Sequence, residues 1–446
     1  MSKALVWLRR DLRLSDHTAL ARATQEHDSV AVCFVFDTVI LEQLGNPNDR
    51  RLTFIYQSLM ELKAELVKQG SDLILLQGDP TIEIPLLAKN LEVNAVYCNH
   101  DYEPYAKSRD SKVSKKLFDN KIEFKSFRDQ VVFESKEILS GAGTPFKVFT
   151  PYKNAWLKEL SKKRDRLLEQ KVSMSKFAQA SELKSVIQNI TLESLGFKPQ
   201  DLWIQAGENS ARKLLTKFEP EMSNYAEARN FPALNNGTSH LSVHLRFGTI
   251  SIRECMRASQ LIKGTGSETW MSELIWREFY QMVLDQFPHV AEHKCFKPEY
   301  DRIQWPGTND HFEAWCEGMT GFPIVDAAIR EFNATGWMHN RLRMIVASFL
   351  TKDLLVDWRK GEAYFAQHLL DYDLASNSGG WQWSASVGCD AQPYFRIFNP
   401  ESQAEKFDPD QKYIKKWIPE LGSKKYPSPI VEHDVQRKLA IELFKR

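Results

Sequence analysis

The sequence predicts an α/β N-terminal domain with a Rossmann-like parallel sheet, followed by an all-α C-terminal domain. Three observations support this. Short apolar runs alternate with amphipathic stretches through residues 1–130, the pattern of a parallel sheet with right-handed crossovers. From about residue 201 the pattern turns to helical stretches and loops with few strand signals. The chain has 446 residues, too many for one ordinary core. The expected division is an α/β domain over 1–130, a connector over 131–200 that wraps the surface, and a helical domain over 201–446.

In order, Ala4–Leu8 reads as a strand, Thr18–Glu26 as a helix, and Val30–Phe36 as a strand rich in β-branched and aromatic residues. Arg51–Gln69 places Leu52, Ile55, Leu59, Leu62 and Leu66 on one helical stripe. Asp72–Gln77 is a buried-type strand, Thr81–Asn90 a helix and Asn94–Cys98 a strand. Pro104–Asn120 is a charged helix, and Ile122–Phe124 begins another strand. The first strand runs into Arg9-Arg10-Asp11-Leu12-Arg13, so the glycine fingerprint of dinucleotide binding is absent. The chain ends in a proline-punctuated turn and a short helix.

Hydrophobic residues make up 43% and charged residues 26%, the balance of a globular protein. The net charge of +1 does not suit a protein that coats DNA, although one gripping a short site can hide a basic rim in a neutral total. Six cysteines lie far apart, with no zinc spacing, and fit a reducing compartment. The first apolar stretch is broken by Arg9, Arg10 and Asp11, too early for a signal peptide, and no run of about 18 apolar residues exists. A cytoplasmic monomer without a membrane span is expected.

The chemistry concentrates late in the chain. Eight of the 12 tryptophans fall between Trp270 and Trp383. A Trp-rich core accounts for any one of them; as a set they can stack on a planar ligand or carry an electron. Glu273–Leu284 reads as a helix with Glu273, Trp276, Arg277 and Tyr280 on one face and Leu274, Ile275 and Met282 in the core. A carboxylate on an aromatic face is unusual core filler, because a buried unpaired charge is costly. Trp337–Leu350 reads as a second helix, with Asn340 and Met344 on one face and Arg341 adjacent. Its polar start is expected to face a cavity. Asp371-Tyr372-Asp373 could bind a metal or pair with Arg341 or Arg343; with no histidine or third acid beside it, the ion pair is favoured and no metal is expected. Gly379-Gly380 lets backbone approach a ligand. Thr238-Ser239-His240-Leu241-Ser242, after a glycine turn, offers either a phosphate cradle or a plain helix cap.

These segments resemble the class I photolyase/cryptochrome family, most nearly its photolyases for cyclobutane pyrimidine dimers. The matching strings are WLRRDLRLSDH, TSHLS, ELIWREFY, GFPIVDAAIREFNATGWMHNRLRM, DYDLASNSGGWQWSASVG and PYFRIFNP, in order over nearly the whole chain. The resemblance implies an antenna domain and a helical domain holding FAD, active when reduced. On that pattern Tyr225, Thr238, Ser239, His240, Leu241 and Ser242 would bind the FAD phosphates and nearby groups, His240 standing where relatives often carry arginine. Trp270, Asp371, Tyr372 and Asp373 would line the rest, and Arg343 would pair with Asp371. Asn377 would face flavin N5, where its amide can accept from a protonated nitrogen.

The same resemblance assigns the substrate side. Glu273 and Asn340 would hydrogen-bond a flipped dimer, with Trp276 and Trp383 against its bases and Met344 at its edge. Relatives for (6-4) photoproducts use histidines at positions corresponding to Asn340 and Met344, so this pair favours cyclobutane dimers. Arg229, Arg277, Arg341 and Tyr280 would contact DNA. Excited reduced flavin would lend an electron that splits the ring and returns; no net redox change makes the enzyme a carbon–carbon lyase. Trp381, Trp358 and Trp305 would relay electrons to oxidised FAD.

The folate contacts of the family are missing. Tyr102-Glu103 is followed by Pro104, Tyr105 and Ala106, and Ala291-Glu292 stands where a Cys-Lys pair is expected. The loop Gly45-Asn46-Pro47-Asn48 also lacks the expected histidine. The antenna is thus open between none, a deazaflavin and a flavin. The alternative function is a cryptochrome-type blue-light receptor with little repair, against which the short C-terminal tail argues. A flavin- or nucleotide-dependent oxidoreductase lacks the dinucleotide fingerprint, and an absorption spectrum separates it from a third alternative, a DNA-binding module without chemistry.

Overall fold

The computed structural model describes residues 1–445 and divides into two compact units. The first comprises Met1–Glu137, Trp156–Glu219 and His240–Leu261; the second comprises Ile138–Ala155, Pro220–Ser239 and the chain from Ile262 onward.

The first unit is built on five parallel strands in the order β3-β2-β1-β4-β5. They are β1 (Lys3–Leu8), β2 (Ser29–Asp37), β3 (Leu73–Gly78), β4 (Ala95–Asn99) and β5 (Glu123–Phe127). Every residue of β2 is buried, which is why its sequence is apolar without alternation. The intervening helices include Thr18–Glu26, Arg50–Lys68, Pro80–Asn90 and Pro104–Asp119. Their starts follow from local chemistry. Asp79 Oδ1 accepts from the Thr81 amide at 2.8 Å, with Pro80 at the first helical position. Leu52, Leu59, Leu62 and Leu66 point into the core, and Ile55 is half-buried at the edge of the stripe.

The stretch read as an irregular connector contains a regular helix, Phe149–Lys162. Phe149, Tyr152, Trp156 and Leu160 are buried at three- and four-residue spacing. Pro151 obscured that period, yet a proline in the first turn costs a helix nothing.

A buried ionic cluster fastens the first unit. Arg13 Nη2 donates to Asp129 Oδ2 at 2.6 Å, and Arg253 donates to Asp129 Oδ1 and Asp16 Oδ1, each at 2.8 Å. Burial opposes ionisation of Asp129, but Arg13 and Arg253 outweigh it and hold the carboxyl well below the usual range. Asp16 is shifted the same way: burial opposes, Arg253 and Arg13 prevail. A depressed folded-state pKa means stability that is full above the unfolded carboxylate value and lost as pH falls through the folded one. The urea midpoint is therefore expected to drop steeply below about pH 4. Asp129→Ala removes the carboxylate that Arg13 and Arg253 share in a buried site and is expected to cost about 3–5 kcal/mol at neutral pH, read from the same midpoint. A loss below about 1 kcal/mol, the worth of an exposed pair, would show that the cluster is not a buried network.

The second unit is helical. Its central helix, Thr265–Gln286, contains the expected 273–284 segment and extends beyond it at both ends. The helix expected over Trp337–Leu350 is shorter. Gly336, with φ of 72°, ends the preceding Pro323–Thr335 helix, and His339 Nδ1 accepts from the Arg341 amide at 3.2 Å. The new helix thus runs Asn340–Ser348 and passes into a π-turn, Phe349–Asp353. Helices Trp358–His368, Leu374–Ser384 and His433–Lys445 complete the region around the aromatic core. Among the described residues, no helix is long and apolar enough to cross a membrane.

Candidate functional site

The Thr265–Gln286 helix separates two chemistries. Leu274, Ile275 and Met282 are buried, whereas Glu273, Trp276, Arg277 and Tyr280 are all half-buried along the opposite face. Trp276 stacks on Phe149 with centroids 3.7 Å apart and planes 11° from parallel, so one face of its ring is already covered. Tyr280 lies 5.4 Å from it at a tilt. Phe149 lies in the stretch whose sequence reads as a connector, so nothing in the spacing marks it as a partner of Trp276.

Glu273 Oε1 accepts from Arg229 Nη1 at 2.5 Å. Arg229 follows the short Tyr225–Ala228 helix, and its guanidinium sits 5.4 Å over the Tyr225 ring. Tyr225 itself is buried. Arg341 Nη2 donates to Asn230 Oδ1 at 2.5 Å, and its guanidinium lies 4.4 Å over Phe407. Burial first, then the nearby Arg229 charge, lowers its pKa, and Glu273 partly offsets both. Met344 Sδ is 3.9 Å from Arg341 Nη1. Asn340, the first helical residue here, is exposed rather than facing into a closed cavity. The structure therefore gathers Arg229, Glu273, Arg341 and Met344 into one half-exposed polar patch. Asn230, which anchors Arg341, carried no sequence signal beyond a common loop asparagine.

The second constellation surrounds the Leu374–Ser384 helix. Asp373 caps it, accepting from the Ser376 amide at 2.9 Å, and Gln281 Nε2 donates to Asp373 Oδ2 at 3.1 Å. Arg343 Nη2 donates to Asp371 Oδ2 at 2.8 Å, the ion pair that the sequence favoured over a metal. Tyr372 is half-buried between the two acids. Asn377 is buried, with its Nδ2 turned to Glu362 Oε1 at 2.8 Å. The two glycines differ. A Cβ on Gly379 would come within 2.3 Å of the Tyr280 ring, so this glycine serves helix packing, not ligand approach. Gly380, one turn after Asn377, has open space at its Cβ position.

Trp381 and Trp358 are buried in the same aromatic core, and Trp305 is half-buried at its edge. Trp270 is buried and Trp383 half-buried. A Cβ on Gly361 would meet Cη2 of Trp381 at 2.2 Å, so Gly361→Ala is expected to push the indole aside, detectable as a changed near-ultraviolet circular dichroism. Trp315, unremarkable in the sequence, packs 6.0 Å from Trp381.

The Thr238–Ser242 segment is shared: Thr238 and Ser239 belong to the second unit, and His240, Leu241 and Ser242 to the first. A Cβ on Gly237 would lie 2.8 Å from the Ala228 carbonyl, which explains the glycine of this turn. His240 takes a left-handed φ of 53°. The helix that follows, Ser242–Phe247, has six residues.

Comparison with known proteins agrees over the whole chain. The family model for DNA photolyase matches residues 4–171, and that for the FAD binding domain of DNA photolyase matches residues 270–424. A deoxyribodipyrimidine photo-lyase of Synechococcus sp. is 40% identical, over 99% of this chain and 96% of its own. A class III photolyase from Agrobacterium tumefaciens superimposes with a TM-score of 0.90 at 32% identity, covering 100% of this chain and 97% of its own. An archaeal photolyase from Sulfolobus tokodaii with two FAD molecules gives 0.85 at 35% identity, covering 99% of each chain.

The residues present fit FAD. Gln281 Oε1 is buried with no hydrogen-bond partner among the described residues, and Gly380 offers an open face beside Asn377. The Arg343–Asp371 pair adds a fixed dipole of the kind that meets a polar ring edge. The chain belongs to the DNA photolyase family, and its residues 270–424 carry that family's FAD-binding domain.

Proposed function

We propose that the protein repairs cyclobutane pyrimidine dimers in DNA with blue light, using reduced FAD. The observation that supports this most is the patch of Arg229, Glu273, Arg341 and Met344 beside the aromatic face of Trp276. A dimer must leave the duplex to be reached, and its poor stacking lowers the few kcal/mol that flipping costs. Arg229, Arg277 and Arg341 hold the DNA backbone, with Tyr280 alongside. Glu273 keeps Oε1 on Arg229 and offers Oε2 to the lesion. Trp276, covered by Phe149 on one face, offers the lesion its other face, with Trp383 as the second aromatic wall. Asn340 adds a hydrogen bond and Met344 an apolar edge, a pair suited to a cyclobutane dimer.

When bound and reduced, the flavin supplies the light-driven electron that opens the cyclobutane ring. Trp270, Asp371, Tyr372 and Asp373 would line its pocket, with Arg343 holding Asp371, and Asn377 would meet the N5 edge. Tyr225 and the Thr238–Ser242 segment hold its phosphates. Trp381, Trp358 and Trp305 would carry electrons in from the surface to oxidised flavin. Pro104, Tyr105 and Ala106, which follow Tyr102-Glu103 where folate-binding relatives carry an Asn-Glu pair, argue against a folate antenna. Purified protein is expected to absorb as a flavoprotein without a folate band.

The lesion assignment is tested by competition. Labelled oligonucleotide carrying one thymine cyclobutane dimer is bound to FAD-loaded protein in the dark and displaced by unlabelled DNA. Undamaged and (6-4)-containing DNA are expected to compete at least tenfold less well, about 1.4 kcal/mol or more. Equal competition by the (6-4) lesion would remove the assignment.

A further inference from the structure

Two helices meet at the amide of Asn377. Trp358–His368 carries Glu362 and Leu374–Ser384 carries Asn377. Asn377 Nδ2 donates to Glu362 Oε1 at 2.8 Å and to the Glu362 backbone carbonyl at 3.1 Å. A primary amide has two N–H donors, so both are spent on one residue. Glu362 is 2% exposed and Asn377 8% exposed, so water does not compete readily for these contacts. The polar atom that Asn377 has left is its carbonyl oxygen, an acceptor. The second oxygen of Glu362 is buried without a hydrogen-bond partner among the described residues; the imidazole of His293 faces it, with Nδ1 at 3.6 Å. Burial raises the Glu362 pKa, against the opposing pull of Asn377 and His293. Such a residue is expensive to keep in a core, where a hydrophobic side chain would pack without desolvation cost.

We infer that Glu362 is a positioning residue: it locks the Asn377 amide with its carbonyl toward the flavin, so that the site accepts from a flavin N–H and cannot donate to an unprotonated ring nitrogen. This rests on the reading that Asn377 meets the N5 edge. Glu362 touches neither flavin nor DNA in this account; it acts through Asn377. Its effect is to favour reduced over oxidised FAD, because N–H is present at that edge only after reduction. Loss of the acceptor at Glu362 frees one amide hydrogen and lets the Asn377 side chain rotate.

The test compares Glu362→Leu, Glu362→Gln and Asn377→Ala in the full chain. One readout is the affinity ratio for reduced against oxidised FAD. The other is the 15N resonance of the Asn377 side chain in the cofactor-free protein, which reports the lock without flavin. Glu362→Leu is expected to lower the ratio about tenfold, the worth of one good hydrogen bond, and to shift the resonance. Glu362→Gln keeps an acceptor and is expected to restore both. If Asn377→Ala lowers the ratio and folded Glu362→Leu leaves it unchanged, the positioning role is wrong while the placement of Asn377 stands. If neither variant moves the ratio, the placement of Asn377 fails and the inference with it.

Discussion

Glu273→Ala is expected to reduce the quantum yield of dimer splitting much more than it weakens lesion binding. The carboxylate is held from behind by Arg229 at 2.5 Å, so its free oxygen is pre-aimed rather than mobile. A hydrogen bond involving a charged group contributes about 1.5–3 kcal/mol, which corresponds to roughly ten- to a hundredfold in a rate it assists. Splitting competes with return of the electron, so the yield falls by less than the rate does. On the proposed reading, binding would be spread over Arg277, Arg341 and the aromatic walls and would change less. Glu273→Gln retains a polar group there and is expected to lie between. Yield is measured as dimers opened per photon absorbed by chemically reduced protein, with lesion affinity measured in the dark. An unchanged yield would remove the catalytic role of Glu273.

Trp305→Phe is expected to abolish light-driven reduction of oxidised FAD and to leave repair intact once the flavin is reduced chemically. The ordering of burial carries the argument. Trp381 and Trp358 are shielded within the core, and Trp305 is the half-buried member at its edge, packed 5.9 Å from Phe444. An electron hole that cannot be passed on to an accessible indole would be refilled by return from the flavin; on Trp305 an external reductant can refill it. Phenylalanine keeps the packing but cannot take the hole. Illumination under reductant, followed at the oxidised-flavin band, reads this directly. If photoreduction survived, the exit would lie elsewhere.

Much of this was legible in the sequence, for identifiable reasons. Four of the five strands announced themselves because a parallel sheet covered on both faces needs unbroken apolar runs, as in β2 and β3; the edge strand β5, with no buried residue, carried a weaker signal. The division of labour on the Thr265–Gln286 helix followed from 3.6-residue spacing alone; for Asp371 the residues left Arg341 and Arg343 both open as partner, and only the family resemblance singled out Arg343. What escaped notice depended on contacts distant in sequence. Phe149 lies 127 positions before the Trp276 ring it covers, in a helix whose first turn holds a proline. Gly379 read as room for a ligand because sequence cannot show that Tyr280 fills the space. Glu362 carries no motif; only the fold reveals that it takes both amide hydrogens of Asn377.

The central claim is that this chain uses blue light to open a cyclobutane dimer. The most direct measurement is repair of a thymine-dimer oligonucleotide by FAD-loaded, chemically reduced protein, with ring opening followed by recovery of thymine absorbance. Recovery under blue light and none in the dark is the result expected here. Tight flavin binding with a full reduced-flavin spectrum, but no recovery under light, would contradict it and leave a photoreceptor without repair as the better reading.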